Sequence, residues 1–226
     1  MQTGHGVRLE PLGGGIEAAV NDDYGFGADA LLLARFAAPK AGERICDLGA
    51  GCGILSFLFL RDGLKGPIVG VEVQPDAVAL AQYAAARNHL ENRALFLCAS
   101  WERPESLPPA GTFDRVVCNP PYFAPGSGAP SAGEARRLAR HERPDTLQKV
   151  CVAAARLLKN GGHFCLCHRP ERLVDVLATL REQGLEPKRL RTVQQRAGTA
   201  PWLLLVEAVK GARAGLQLAE PWLMEN

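Results

Sequence analysis

Asn119-Pro120-Pro121-Tyr122 directly follows the apolar run Val116-Val117-Cys118. Two successive prolines fix two φ angles and remove two backbone donors, so neither a helix nor a sheet ladder continues through them. The residue before each proline is pushed to an extended conformation. The spacing predicts a buried strand that becomes at once a rigid, extended loop. That loop presents the Asn119 carboxamide and the proline carbonyls as acceptors beside the Tyr122 ring. Such a corner suits a planar amine or amide held by its N–H groups.

A second cluster lies upstream, in Asp47-Leu48-Gly49-Ala50-Gly51-Cys52-Gly53. Glycines between a strand and its helix let backbone approach a ligand closely, and the helix N-terminus offers unpaired N–H groups. Glu72 closes the next strand-like run, about twenty residues on, where an acid can accept both hydrogen bonds of a ribose diol. Asp47 is placed to orient the loop through its backbone or a water. The spacing is G-x-G-x-G, not the G-x-G-x-x-G of dinucleotide sites, and no residue set for hydride transfer accompanies it. The pattern points away from an oxidoreductase.

The elements that must position these groups follow from periodicity. The chain has 226 residues, 47% hydrophobic and 22% charged, which fits one folded domain and excludes a disordered chain. A net charge of +2 leaves any basic surface local. Val7 to Pro11 and Ile16 to Val20 flank a glycine turn and predict a hairpin; a helix over 30–37 follows, and residues 1–43 form a cap over the core. From Arg44 strands (45–48, 68–73, 94–98, 113–118, 163–167) alternate with helices (to Leu60, 75–88, 145–159, 171–183). The last two strands, 185–194 and 202–209, are joined by a turn, which only antiparallel neighbours allow. Val193 and Val206 are expected on the inward face. The expected fold is α/β, a doubly wound, mostly parallel seven-stranded sheet with one antiparallel strand. Residues 44–226 form the core of a single domain 1–226. Residues 124–143, glycine- and proline-rich and then basic, form a substrate loop.

Seven cysteines are scattered, with no CxxC pair. Cys46, Cys98, Cys118 and Cys165 lie in strand-like runs, where cysteine behaves as a small core residue. Cys165 and Cys167 share a strand face that His168 does not, so no metal site is expected. The apolar segments fall short of the about 20 residues of a membrane span, and no secretory pattern opens the chain. A cytoplasmic protein without membrane attachment is the expectation.

The glycine loop with Asp47, Glu72 and Asn119-Pro120-Pro121-Tyr122 together resemble the main motifs of S-adenosylmethionine-dependent amino-methyltransferases. Tyr24-Gly25-Phe26-Gly27-Ala28-Asp29-Ala30-Leu31-Leu32-Leu33-Ala34, Arg140-His141-Glu142 and Leu157-Leu158-Lys159-Asn160-Gly161-Gly162 are similar to segments of bacterial tRNA1(Val) adenine-37 N6-methyltransferases. The resemblance implies a Rossmann-like class I methyltransferase using S-adenosyl-L-methionine. Cofactor contacts would come from Phe26, Gly27, Asp29, Asp47, Gly49, Gly51, Gly53, Glu72, Val73, Ser100 and Asn119. Ala99-Ser100-Trp101 stand where the family often carries an acid towards the adenine. The catalytic set would be Asn119, Pro120 and Tyr122. If Asn119 Oδ1 and the Pro120 carbonyl each accept one N–H, the amine nitrogen pyramidalises towards the methyl. Tyr122 stacks on the base, Phe123 closes its edge, and Arg136, Arg137, Arg140, His141 and Arg143 contact phosphates. Lys188, Arg189 and Arg191 extend that surface. The expected partner is tRNA, acted on by a monomer or weak dimer. Protein glutamine, ribosomal RNA or DNA are the alternative substrates, and a cofactor-binding protein without catalysis the alternative class.

Overall fold

The computed structural model describes residues 6–120 and 146–225. Pro121, Tyr122, Phe123, the loop 124–143 and its Arg136, Arg137, Arg140 and His141 lie outside the described residues. So does Arg143.

The hairpin is β1 (Arg8–Gly13) and β2 (Ile16–Val20), antiparallel, and is followed by α1 (Ala28–Ala37). The core then runs β3 (Ile45–Leu48), α2 (Ile54–Arg61), β4 (Ile68–Glu72), α3 (Pro75–Arg87), β5 (Ala94–Cys98) and β6 (Phe113–Cys118). It continues through α4 (Thr146–Leu157), β7 (Leu158–His168), α5 (Leu173–Glu182), β8 (Leu185–Gln194) and β9 (Pro201–Lys210). Two short strands, β10 (Gln217–Leu218) and β11 (Trp222–Leu223), both pair in parallel with β8.

The order across the main sheet is β8-β9-β7-β6-β3-β4-β5. β3 to β7 run parallel, and β9 is antiparallel to both its neighbours. The seven longer strands and the single reversed strand match the expectation, but among the described residues the sheet has nine strands. The two extra strands are two residues each, too short to leave an alternating pattern.

Alternation of side chains places one apolar layer on each sheet face. Val117, Cys165, Cys167, Val193, Leu203 and Leu205 pack with the helices α1, α2 and α3. Val116, Cys118, Phe164, Leu166, Leu204 and Val206 pack with α4 and α5. Val193 and Val206 are both fully buried, but under opposite layers. Cys46, Cys118 and Cys165 are core residues as expected, whereas Cys98 is exposed, with its thiol 3.7 Å from the Val73 carbonyl.

β7 begins at Leu158, five residues before the expected His163, and Gly161-Gly162 lie within it rather than stopping a helix. A side chain at Gly162 would stand 2.9 Å from the Lys159 carbonyl and 3.2 Å from that of Asp114, so only glycine lets this irregular extension lie against β6. The glutamate at 171 belongs to a separate 3-10 turn, Pro170–Arg172, ahead of α5. No helix among the described residues is long and apolar enough to cross a membrane.

β3 and β6 are neighbours, while the chain goes from β3 outward through β4 and β5 before returning to β6. Between β3 and β6 lies the topological switch point, where the loops leaving two adjacent strands diverge and open a crevice. The glycine loop leaves β3 and the asparagine-proline loop leaves β6, so the two motifs share that crevice.

Candidate active site

The glycine loop takes its shape from left-handed backbone at Gly49, Gly51 and Gly53, with φ of 74°, 53° and 84°. Only glycine adopts such angles without a steric cost. The Gly49 and Ala50 N–H groups both donate to the Val71 carbonyl, at 2.8 and 3.1 Å, which ties the loop to β4. A side chain at Gly53 would stand 2.8 Å from the Phe96 ring, and one at Gly49 would stand 3.1 Å from the Trp101 ring. Trp101 thus lies against the loop that the sequence reading assigned to the cofactor.

Glu72 is 7% exposed, not a solvated strand end. Its Oε2 accepts from the Gly51 N–H at 3.0 Å and its Oε1 from the Gln74 N–H at 2.9 Å. Each carboxylate oxygen keeps further lone-pair capacity, so a diol can be accepted by a group whose geometry is already fixed. Val73, next in the chain, is 58% exposed at the rim.

Asp47 is buried beneath the loop. The alternation of β3 sends Cys46 and Leu48 to one layer and Asp47 to the other, towards α2, where the Ser56 hydroxyl donates to Oδ2 at 2.9 Å. It thereby clasps α2, a contact beyond the expected orientation of the loop. Oδ1 is buried with no hydrogen-bond partner among the described residues. Burial pushes the carboxyl up to about 7, with the Ser56 hydrogen bonds opposing. A buried carboxyl with one unanswered oxygen beside a glycine loop suits a ligand that brings a cationic donor.

Asn119 sits at the other wall. It continues the side-chain parity of Val117 and so faces the α1 layer. Its Nδ2 donates to Asp29 Oδ2 at 3.0 Å, and its Oδ1 lies 2.9 Å from the Cys167 thiol. Pro120 is buried beside it. Asp29 Oδ1 accepts from the Ala30 N–H at 2.9 Å. Gly27 leads into α1, and a side chain on it would stand 2.7 Å from Asp29 Oδ1. That crowding is a physical reason for glycine two residues before the acid. Upstream, Phe26 and Tyr24 are half-buried against the core, and the Tyr24 hydroxyl donates to Gln74 Oε1 at 3.1 Å.

The structure thus brings Asp29, Asn119 and Pro120 together at one wall, and Asp47, Gly49, Gly51, Gly53 and Glu72 at the other. Ser100 turns inward on its own loop: its hydroxyl accepts from the Glu102 N–H at 3.1 Å and its carbonyl accepts from the Ser106 hydroxyl at 3.1 Å. Sequence reasoning missed Tyr24, Ser56, Trp101 and Cys167 as parts of this region. Arg189 and Arg191 are held by the protein itself. Arg189 donates to the Phe36 carbonyl at 2.7 Å and pairs with Glu207. Arg191 stacks on Trp222 with Arg35 on the same ring, each 4.5 Å from its centre. Lys188 Nζ donates to the Arg213 carbonyl at 3.2 Å.

Residues 39–198 match the family described as "Methyltransferase domain", which is more than half of the chain. The chain belongs to this methyltransferase family. A curated relative from Porphyromonas gingivalis, named tRNA1(Val) (adenine(37)-N6)-methyltransferase, is 29% identical over 187 residues, covering 80% of this chain and 72% of its own. A relative of the same name from Shewanella amazonensis is 29% identical over 195 residues, covering 84% and 82%. Among solved structures, one from Agrobacterium tumefaciens described as a "predicted O-methyltransferase" superposes with a TM-score of 0.69 at 24% identity, covering 87% of each chain. The T. thermophilus 16S rRNA N2 G1207 methyltransferase, solved with AdoMet and guanosine, superposes with a TM-score of 0.62 at 22% identity, covering 90% of this chain and 50% of its own. The two structural likenesses bear on the fold alone.

Proposed function

We propose that this chain transfers the methyl group of S-adenosyl-L-methionine to N6 of an adenine in tRNA, with position 37 of tRNA1(Val) as the target. The observation that carries the reading is the convergence at one crevice of an acceptor corner, Asn119-Pro120, with the glycine loop and the doubly anchored Glu72. The curated relatives of the same name, aligned over most of the chain, supply the substrate.

Glu72 would accept the ribose hydroxyls, Gly49, Gly51 and Gly53 would allow close approach, and the open Asp47 Oδ1 would receive the ammonium group. When bound, the cofactor supplies an electrophilic methyl on a sulfonium. The protein's own task is alignment and electrostatics. An exocyclic amine is a weak nucleophile because its lone pair is delocalised into the ring. Asn119 Oδ1 and the Pro120 carbonyl each accept one N–H, which favours pyramidal nitrogen and stabilises the positive charge that develops on it. Neither needs to remove a proton before transfer. The base must leave its stack to reach this corner. Tyr122 and Phe123 are proposed to sandwich it, and Arg136, Arg137, Arg140 and His141 to hold the flanking phosphates. Phe26, Gly27, Val73 and Ser100 are proposed to line the cofactor site, Asp29 acting through Asn119. Residues 1–226 work as one cytoplasmic unit, monomeric or weakly dimeric, with residues 1–43 as its cap.

The test incubates the protein with methyl-labelled cofactor and separate pools of tRNA, ribosomal RNA, DNA and protein. Label in the tRNA pool, recovered as N6-methyladenosine, is expected. Label in protein or DNA alone would overturn the substrate.

A further inference from the structure

We infer that Cys167 is a positioning residue for methyl transfer: with Asp29 it fixes the rotation of the Asn119 carboxamide and leaves one lone pair of Oδ1 for the target amine. This rests on the proposed role of Asn119 as an amine acceptor and deepens it.

Cys118 pairs with Leu166 across β6 and β7, so the next residues on each strand, Asn119 and Cys167, stand side by side. Both have the parity that faces α1, whose first turn carries Asp29. Three side chains far apart in sequence therefore meet by sheet order. Asp29 Oδ2 accepts at 3.0 Å from the amide nitrogen of Asn119, the donor side of the carboxamide. That choice turns Oδ1 towards Cys167, 2.9 Å from its sulfur.

Cys167 is fully buried, and burial holds its thiol well above the ordinary range. A neutral thiol is a donor, so it meets the carbonyl oxygen with a hydrogen rather than with a repelling thiolate. Turning the amide by half a revolution would set the oxygen against the Asp29 carboxylate. The rotation is held from both ends.

The arithmetic of lone pairs then decides how the amine is shared. A carbonyl oxygen has two, and the thiol takes one. One remains, enough for a single N–H of an exocyclic amine. The second N–H is left to the Pro120 carbonyl, whose direction is narrowed because the residue before a proline is pushed to extended ψ and Pro121 comes next.

The test compares wild type with Cys167→Ser, which keeps a donor, and with Cys167→Ala and Cys167→Val, which remove it while lowering or raising the volume. Initial rates are taken with tRNA and labelled cofactor at saturation, beside cofactor affinity by calorimetry. One lost hydrogen bond of ordinary strength corresponds to a drop in kcat of about three- to ten-fold. We expect that drop in both Cys167→Ala and Cys167→Val, with cofactor affinity unchanged and with most of the rate recovered in Cys167→Ser. Wild-type turnover in Cys167→Ala, or recovery in Cys167→Val but not in Cys167→Ser, would overturn the assignment in favour of packing. A second readout needs no turnover. The S–H stretch of Cys167, taken as the infrared difference between wild type and Cys167→Ala, should lie at the hydrogen-bonded position and move to that of a free thiol in Asn119→Ala. A band that does not move overturns the contact. Failure of wild type to methylate tRNA would count instead against the substrate reading.

Discussion

The two ends of the central sheet treat charge in opposite ways. At the end where β3, β4 and β6 stop, Glu72 keeps acceptor capacity and Asp47 keeps a buried oxygen without a partner among the described residues. At the other end, Arg115 enters the sheet 4% exposed and is met from both sides. Its Nε donates to Glu43 at 2.7 Å, its Nη1 donates to Glu207 at 3.1 Å, and Cys165 lies 3.2 Å away. Glu207 also faces His163 at 2.9 Å and Arg189 at 3.0 Å, the latter off the N–H axis and so an ion pair rather than a hydrogen bond. Burial alone would raise Glu207. The His163 hydrogen bond and the charges of Arg189 and Arg115 outweigh it and hold the carboxyl down to about 2. One end is closed electrostatically and ties the cap-side Glu43 to β9. The other keeps acceptor capacity that the described residues do not fill.

The contrast can be broken most sharply at Arg115. Replacing it with methionine leaves two nearly buried carboxylates facing each other, and removal of one member of such a network costs about 3–5 kcal/mol. Urea unfolding of Arg115→Met should show that loss, with turnover per folded molecule near wild type. Equal stability would mean the network is not closed as described.

Asp47→Asn is the mirror experiment. Ionised Asp47 is a buried charge met only by Ser56 among the described residues, so the amide should raise stability at pH 8 by an amount of the order of 1–3 kcal/mol, less than the shift alone implies because surroundings relax. Cofactor affinity should fall in the same variant. A variant that loses both, or keeps both, would break the proposed division between the ends.

The pH dependence separates the same two groups by sign. Asp47 has a folded-state value of about 7 against an ordinary 3.8, so the folded protein binds the extra proton between them. Its contribution is present at low pH and is lost as pH rises towards 7. Glu207 is opposite: about 2 folded against 4.5, its contribution is present above 4.5 and lost as pH falls towards 2. His168, buried and held to about 4 from 6.5, adds a loss as pH falls through that window. Between about pH 4 and 6.5 the Asp47 and His168 contributions oppose each other, so chemical denaturation across pH should show stability rising more steeply with pH in Asp47→Asn than in wild type, and the acid limb should shrink in Glu207→Gln. Unaltered slopes would refute the assignments.

A smaller effect is expected at Gly53. Alanine there takes a left-handed φ of 84° and pushes the Phe96 ring, so Gly53→Ala should cost about 1–3 kcal/mol. Thermal unfolding measures it, and a neutral result would show that the loop re-forms around the methyl group.

The strands from Ile45 to Cys118 could be read from the sequence because each is a short apolar run bounded by glycine, proline or a helix. The start of β7 could not, because Leu158 also fits the apolar face of α4, and the extension depends on Gly162 lying against Asp114. Glu72 and Asn119 stood out through their place after strands. Their partners did not: Asn119 meets Asp29 and Cys167 across 90 and 48 residues, and only the strand order brings those separations to contact distance. The shared face of Cys165 and Cys167 was readable by alternation. What that face looks at was not. Asp47 likewise looked like a strand-end acid, and its bond to Ser56 follows from which layer α2 occupies. Arg189 and Arg191 looked like surface cations because a basic run gives no sign of the glutamate and tryptophan that hold them.

The central claim is that the Asn119 corner accepts the target amine in a crevice whose other wall binds the cofactor. Asn119→Ala isolates it. Removing one preorganised partner of a developing charge costs about 10²–10³ in rate, so tRNA methylation should fall by that factor while calorimetry returns wild-type affinity for S-adenosyl-L-methionine. Turnover at the wild-type rate would contradict the account.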